Sequence, residues 1–468
     1  MRLAGSTFRA LLTFLAAFAV MTGAEAQDSV PSTDDSGTVG LLDEIWGRDA
    51  LAGHWNGMRD RWADEGIILA ADSIDETLAD VSGGVRRAAI YDGRLEVLAT
   101  LDLDKLIGWT GAALHANAYW THNHGLSGSA LGGNLMTVSN IEATPSIRLF
   151  DLWIEQLLLD NKLSIRFGQL AADDEFIGSD TASNFNNASF GWPAIAGADL
   201  PSGGPIYDLA TPGVRVKYVP SDNYSFSLGV FNGDPAPAGP GVPQRRDGSG
   251  LTFRLNGGVL AIGEAAYKST LDFGDGDMPS TYKLGAWFHS GDFTDERFDD
   301  SGQSLASPSS TGIAAVRHRD YGAYFIVDQV IWHEPDTQDA GVSAFLRGAW
   351  APSDRNLVSV YADAGFAIKG LLWNRDNDVF GVAFGIVAIS DEVRALDRDI
   401  RSFTGRDVPI EDYEATLECT YHVQVNQWWS LQPDLQFVAH PGGHVALPNS
   451  TTPIANATVF GLRSSIVF

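Results

Sequence analysis

The C-terminal stretch "VFGLRSSIVF" alternates. Phe460, Leu462, Ser464, Ile466 and Phe468 fall on one side, and Val459, Gly461, Arg463, Ser465 and Val467 on the other. Successive side chains of a β-strand point to opposite faces, so the pattern predicts a strand with one apolar face and one small or polar face. "EATLECTYHVQV" repeats it: Ala415, Leu417, Cys419, Tyr421, Val423 and Val425 oppose Glu414, Thr416, Glu418, Thr420, His422 and Gln424. In "LVSVYADAGFAIKG", Val358, Val360, Ala362, Ala364, Phe366 and Ile368 oppose Ser359, Tyr361, Asp363, Gly365, Ala367 and Lys369. "GRLEVLATLDL" sets Leu95, Val97, Ala99, Leu101 and Leu103 against Arg94, Glu96, Leu98, Thr100 and Asp102. "WSLQPDLQFVA" sets Leu431, Leu435 and Phe437 against Ser430, Gln432, Asp434 and Gln436.

One alternating strand fits a soluble antiparallel sheet equally well. Number and length discriminate further. About seventeen segments of roughly 8–14 residues can be cut between Ile67 and Phe468, near the length a tilted membrane strand needs. Single-chain bacterial barrels have even strand numbers, so at least one cut is false. The long connections near 440–456, 390–410 and 291–318 fall on one side and the short turn near "VNQW" on the other, as in outer-membrane barrels. The polar faces carry Arg94, Glu96, Asp102, Asp363, Glu414, Glu418 and Asp434. Such charges cannot be buried dry; they need bulk solvent or a water-filled pore. The pattern predicts an all-β, transmembrane antiparallel β-barrel over 67–468, with lipid covering the apolar faces.

Two features precede the strands. "GHWNGMRDRWADEGI" places Trp55, Met58 and Trp62 at helical spacing, predicting a short amphipathic helix over 53–66 at the barrel's periplasmic end. Arg2 and Arg9 precede "ALLTFLAAFAV", which is followed by "AEA"; this predicts a signal peptide over 1–26, cut after Ala26. Residues 27–52 then read as a polar, flexible lead.

Composition narrows the picture. Mean hydropathy is −0.05 and no later run is long and apolar enough for a helical span. The formal net charge of −28 argues against a nucleic-acid partner. Cys419 is the only cysteine, which excludes an internal disulfide. The run "DEFIGSDTASNFNNASFGWPAIAGADLPSGGP" has too many Gly and Pro for a helix or a central strand. Phe185, Phe190 and Trp192 are too apolar for a floppy linker, so it reads as a long loop with its own packing.

That loop's "NFNNASFGWPA" resembles a segment of the carbohydrate-selective porins of Gram-negative outer membranes, the OprB-type family. So do "GHWNGMRDRWADEGI", "NLMTVSNIEATPSIRLFDLWIEQLLLDNKLSIRFGQLAADDEFIGSD" and "LQPDLQFVAHPGG"; the resemblance runs from about Trp55 to Phe468. It implies a sixteen-stranded barrel, passive sugar-preferring diffusion, a charged and hydrogen-bonding constriction, and a "SFGWPA" loop folded into or over the channel.

Alternation itself nominates constriction residues. In "RLFDLWIEQ" the face with Asp151, Trp153 and Glu155 opposes Leu152 and Ile154, and in "LSIRFGQ" Arg166 and Ser164 oppose Leu163, Ile165 and Phe167. Carboxylates and guanidinium bond sugar hydroxyls, and an indole can stack on a pyranose. Arg94 and Glu96 are expected to join them. Arg148 falls on the opposite phase, which requires a bulge or a place at the rim.

Other chemistry is weaker. His115, His122 and His124 lack an acidic second shell, so no metal is expected there. Asp173, Asp174 and Glu175 read as a solvated turn, with loop-bound calcium as a lesser option and no other cofactor. Small sugars and outer-membrane lipid are the expected partners, and the last strand with Phe468 is expected to meet the barrel assembly machinery. A secreted β-rich carbohydrate-binding protein or glycosidase, and a less selective general or ion porin, are the competing readings.

Overall fold

The computed structural model describes residues 45–272, 277–334, 337, 340–370 and 375–468. The expected signal peptide and most of the lead lie outside the described residues.

The first eight strands are β1 (Ile67–Gly84), β2 (Ala88–Asp102), β3 (Ala112–Thr121), β4 (Ser146–Leu158), β5 (Leu163–Leu170), β6 (Thr211–Ser221), β7 (Tyr224–Asn232) and β8 (Val259–Asp272). The second eight are β9 (Asp277–Asp299), β10 (Ala314–His333), β11 (Gly341–Trp350), β12 (Val358–Lys369), β13 (Val379–Ile389), β14 (Tyr413–Gln424), β15 (Trp429–Ala439) and β16 (Ala455–Val467). Among the described residues these sixteen antiparallel strands form one closed barrel, each pairing with its sequence neighbours. The ring shuts where β16 pairs with β1, from Asp72 opposite Val467 to Gly84 opposite Ala455. Closure leaves no sheet edge to satisfy, the condition for spanning a bilayer with strands. One of the seventeen segments cut from the sequence is therefore not a strand.

The alternation holds in the interior of the strands. Leu417, Phe437 and Phe460 are exposed outward, whereas Glu414, Glu418, Asp434, Gln436 and Arg463 are buried inside. Three ends depart from it. Leu103 is not the last outward residue of β2, because Asp102 caps a short helix, Leu103–Ile107, by accepting from the backbone N–H of Asp104 and Lys105. Strict alternation puts Val358 with the lipid face, but a register shift between Val358 and Val360 turns it inward, where it is buried. The connection expected over 291–318 is shorter, since β9 and β10 continue to Asp299 and from Ala314.

Helix α1 (Met58–Asp64) is shorter than the expected 53–66. Trp55 and Asn56 have φ of 50° and 56° and belong to a left-handed turn before it. Arg59 of α1 donates to Phe468 O (3.0 Å) and Leu69 O (3.4 Å), fastening the helix to the end of the barrel where the chain terminates.

Two long loops turn inward from one end. Residues 122–145, between β3 and β4, and 171–210, between β5 and β6, are joined by backbone bonds from Asn140 N to Asn186 O and from Ala188 N to Thr137 O. The hydrophobic core lies within the barrel. Met136, Phe176, Trp192, Ile195 and Leu200 from the loops pack against Phe231, Leu260, Trp287, Tyr324 and Tyr361 from the wall. Phe185 and Phe190 form a second cluster with Phe345. The Asn-, Gly- and aromatic-rich run is thus a folded belt on the inner wall.

Candidate functional site in the lumen

β4 carries the residue that alternation could not place. Its register against β3 passes from Leu149 opposite Ala118 to Leu152 opposite Ala116. Two residues, Phe150 and Asp151, stand there against Asn117 alone. The bulge turns Arg148 and Asp151 to the same side, and both are buried. Arg148 does not reach into the channel. It forms a fully buried ion pair with Asp208 (3.0 Å) and donates to Asp208 O and Gln244 O, clamping two loops to the wall.

Beyond the bulge, Glu155, Arg166 and Arg215 lie in one row across β4, β5 and β6. Glu155 meets Arg166 (3.5 Å) and Arg215 (3.2 Å), and accepts from Ser164 Oγ (2.5 Å). Glu175, from the inward loop, pairs with the same two arginines at 3.0 and 2.7 Å. The result is a quartet of two guanidinium and two carboxylate groups, without net charge. Together with Asp151, Trp153 and Asp174 it lines a narrow cleft. Asp174 is exposed and lies beside Asp151 in the cleft.

Trp153 sits between two strands that each supply a neighbour. His115 of β3 stacks on it with ring centroids 4.6 Å apart, and Arg166 of β5 lies 3.8 Å over its ring. His115 is held in turn by Thr100 Oγ1 at 2.8 Å. Gly168, opposite Trp153 in the ladder, makes this possible: a Cβ there would come within 2.2 Å of Leu152 O.

Arg94 and Glu96 do not join this quartet. They lie on β2, where Arg94 pairs with Asp72 (3.1 Å) and Glu96 (3.2 Å). Asn117 donates to Glu96 at 2.6 Å, and the Arg94 guanidinium lies over the rings of Tyr119 and Tyr207. The structure therefore brings together Asp151, Trp153, Glu155 and Arg166 of the six nominated residues, and builds a neighbouring network around the other two.

Arg215 was missed, although "VRVKY" alternates and would have placed it inward. Glu175 reads from sequence only as part of a solvated turn. The three acidic neighbours in fact diverge: Asp173 accepts from Tyr207 N (3.0 Å), Asp174 meets Asp151, and Glu175 meets the arginines. They are not gathered at cation-ligand distance. His115 is in the Trp153 stack, whereas His122 contacts Tyr91 and His124 contacts the Tyr91 carbonyl.

The model of the carbohydrate-selective porin family, OprB, matches residues 86–468. The chain belongs to that family. Porin B of Pseudomonas aeruginosa is 22% identical over 434 residues, which cover 89% of this chain and 91% of the relative. The high-pH structure of Pseudomonas putida OprB superposes with a TM-score of 0.80 at 22% identity, covering 90% of this chain and 99% of that one. The low-pH structure of the same protein gives a TM-score of 0.54 at 18% identity. The porin is an outer-membrane channel with its charges turned to the lumen, and the secreted soluble reading is set aside.

Proposed function

We propose that the porin admits small carbohydrates to the periplasm by passive diffusion, with a preference for neutral polyhydroxylated solutes over anions. Membership of the family supports sugar passage. The observation that carries the preference is the Arg166–Arg215–Glu155–Glu175 quartet. A sugar entering a narrow lumen must shed water. Guanidinium groups donate to its hydroxyls and carboxylates accept from them, so the lost hydrogen bonds are replaced. The four charges of the quartet cancel one another, and Asp151 and Asp174 add further carboxylate acceptors, so the cleft offers donors and acceptors to hydroxyls while opposing anions. The exposed apolar band is read as the face toward outer-membrane lipid, and the strand ending in Phe468 as the segment offered to the barrel assembly machinery.

The test is proteoliposome swelling with a series of sugars against ions of similar size. Arg166→Ala combined with Arg215→Ala is expected to abolish saturation of sugar flux. It also leaves two carboxylates unpaired, so cation conductance should rise. Saturable sugar flux that survives the double substitution would remove the quartet from the selectivity filter.

A further inference from the structure

A second cluster lies on β14–β16, away from the quartet's strands. Asp412 precedes β14, and His440 and His444 bracket Pro441, Gly442 and Gly443 just after β15. His440, Gly442, Gly443 and His444 all have positive φ, between 51° and 84°. This turn brings the two imidazoles face to face, with centroids 4.1 Å apart and planes 15° from parallel. Backbone bonds fix it against its surroundings. Asp412 N donates to Gly443 O (3.0 Å), His440 N to Asn456 Oδ1 (3.0 Å) and Gly442 N to Glu414 Oε2 (2.6 Å).

Both rings aim Nδ1 at one carboxylate. His440 Nδ1 is 2.8 Å from Asp412 Oδ1, and His444 Nδ1 is 3.6 Å from Asp412 Oδ2. The His444 nitrogen is shielded from solvent and has no hydrogen-bond partner. One carboxylate thus serves one imidazole fully and leaves the second nitrogen unsatisfied, a cost that a shared cation would remove. Ligand atoms of the three residues lie within 4.8 Å of one another, the one such grouping among the described residues. Side-chain exposures of 24% for His440, 30% for His444 and 38% for Asp412 leave the cluster open to an ion.

We propose that Asp412, His440 and His444 bind a divalent transition-metal ion. Two imidazoles and a carboxylate form the nitrogen–oxygen donor set that suits Zn²⁺, and three protein ligands leave a fourth position for water. A bound ion lies in the plane of each imidazole it ligates, so loading requires the stacked rings to fan apart. It would tie the 440–454 loop to the start of β14.

Zn²⁺ titration calorimetry on the tag-free, full-length mature porin in detergent tests this. One ion per chain is expected, with His440→Ala or His444→Ala weakening binding at least tenfold and His122→Ala/His124→Ala leaving it unchanged. Heat-modifiable migration on gels verifies that each variant is folded. Co²⁺ gives a second readout on the unmodified protein: visible d–d bands of tetrahedral coordination, displaced by Zn²⁺. No binding, binding unaltered in both single variants, or a Co²⁺ spectrum no different from that of the free aquo ion would overturn the proposal.

Discussion

Trp153 shows how a residue's role changes once its neighbours are known. Its place on the lumen side of β4 follows from alternation, and an indole there invites a stacking role toward sugar. The structure instead gives its ring to His115 and Arg166, so its main effect is to hold Arg166 where Glu155 and Glu175 can reach it. A cation–π contact of this kind contributes roughly 0.5–2 kcal/mol. Trp153→Ala should therefore weaken sugar block of the ion current about tenfold in planar bilayers, while Trp153→Phe retains most of it. Equal losses in the two variants would mean that the indole N–H or its outer edge touches the sugar directly. Arg148 makes the complementary point. Its sequence phase was wrong for the lumen, yet one extra residue at Phe150–Asp151 turned it inward.

At the scale of elements, β14 is the post to which the inward loops are tied. Glu414 accepts from Leu135 N (2.8 Å) and Met136 N (2.6 Å) of the 122–145 loop. Two periods of the alternation further, Glu418 accepts from Asn186 N (2.7 Å) and Asn187 N (2.9 Å) of the 171–210 loop. Each carboxylate thereby satisfies two consecutive backbone donors that the loop could not pair by itself. The loop's far side is held by Arg347, which donates to Ile177 O, Ser189 O and Gly191 O while paired with Asp363 (2.5 Å). Glu418→Gln keeps one acceptor oxygen and turns an amide N–H₂ on the other donor, leaving one buried N–H unpaired at a cost of about 1–3 kcal/mol. The expected outcome is a barrel that still folds, with larger single-channel conductance and increased proteolysis within 171–210. Conductance and cleavage both at wild-type levels would show that the belt does not depend on this tie. The sequence marked that run as structured through its aromatics, but nothing local named Glu418 as its partner 231 positions away.

For the whole molecule, the decisive event is closure of β16 on β1. Phe468 N donates to Ala71 O (2.9 Å) and Phe468 O accepts from Arg59. Deleting Phe468 removes a ladder bond, the anchor of α1 and the terminal apolar side chain together. Outer membranes of cells carrying the deletion should contain several-fold less heat-modifiable barrel. Arg59→Ala, which removes only the anchor, should assemble near normally; a comparable loss there would place the defect in the anchor rather than in the terminal residue.

The sequence by itself determined what depends on a residue and its nearest neighbours along the chain. Period-two alternation depends only on successive side chains pointing apart, so it marked the strands, separated lipid face from lumen face, and put Glu414, Glu418, Asp434 and Arg463 inside. The quoted family segments added the sixteen-strand count. Tertiary structure alone decided which inward charges meet. Asp72 finds Arg94, Glu175 finds Arg215, and Glu76 finds Arg463 across 387 positions. Alternation says which side a residue faces but nothing about register between strands or the path of a loop. Those are set by closure of the ring and by the paired loops folding into it, where most buried charges come to rest against an opposite charge or a hydrogen-bonding group.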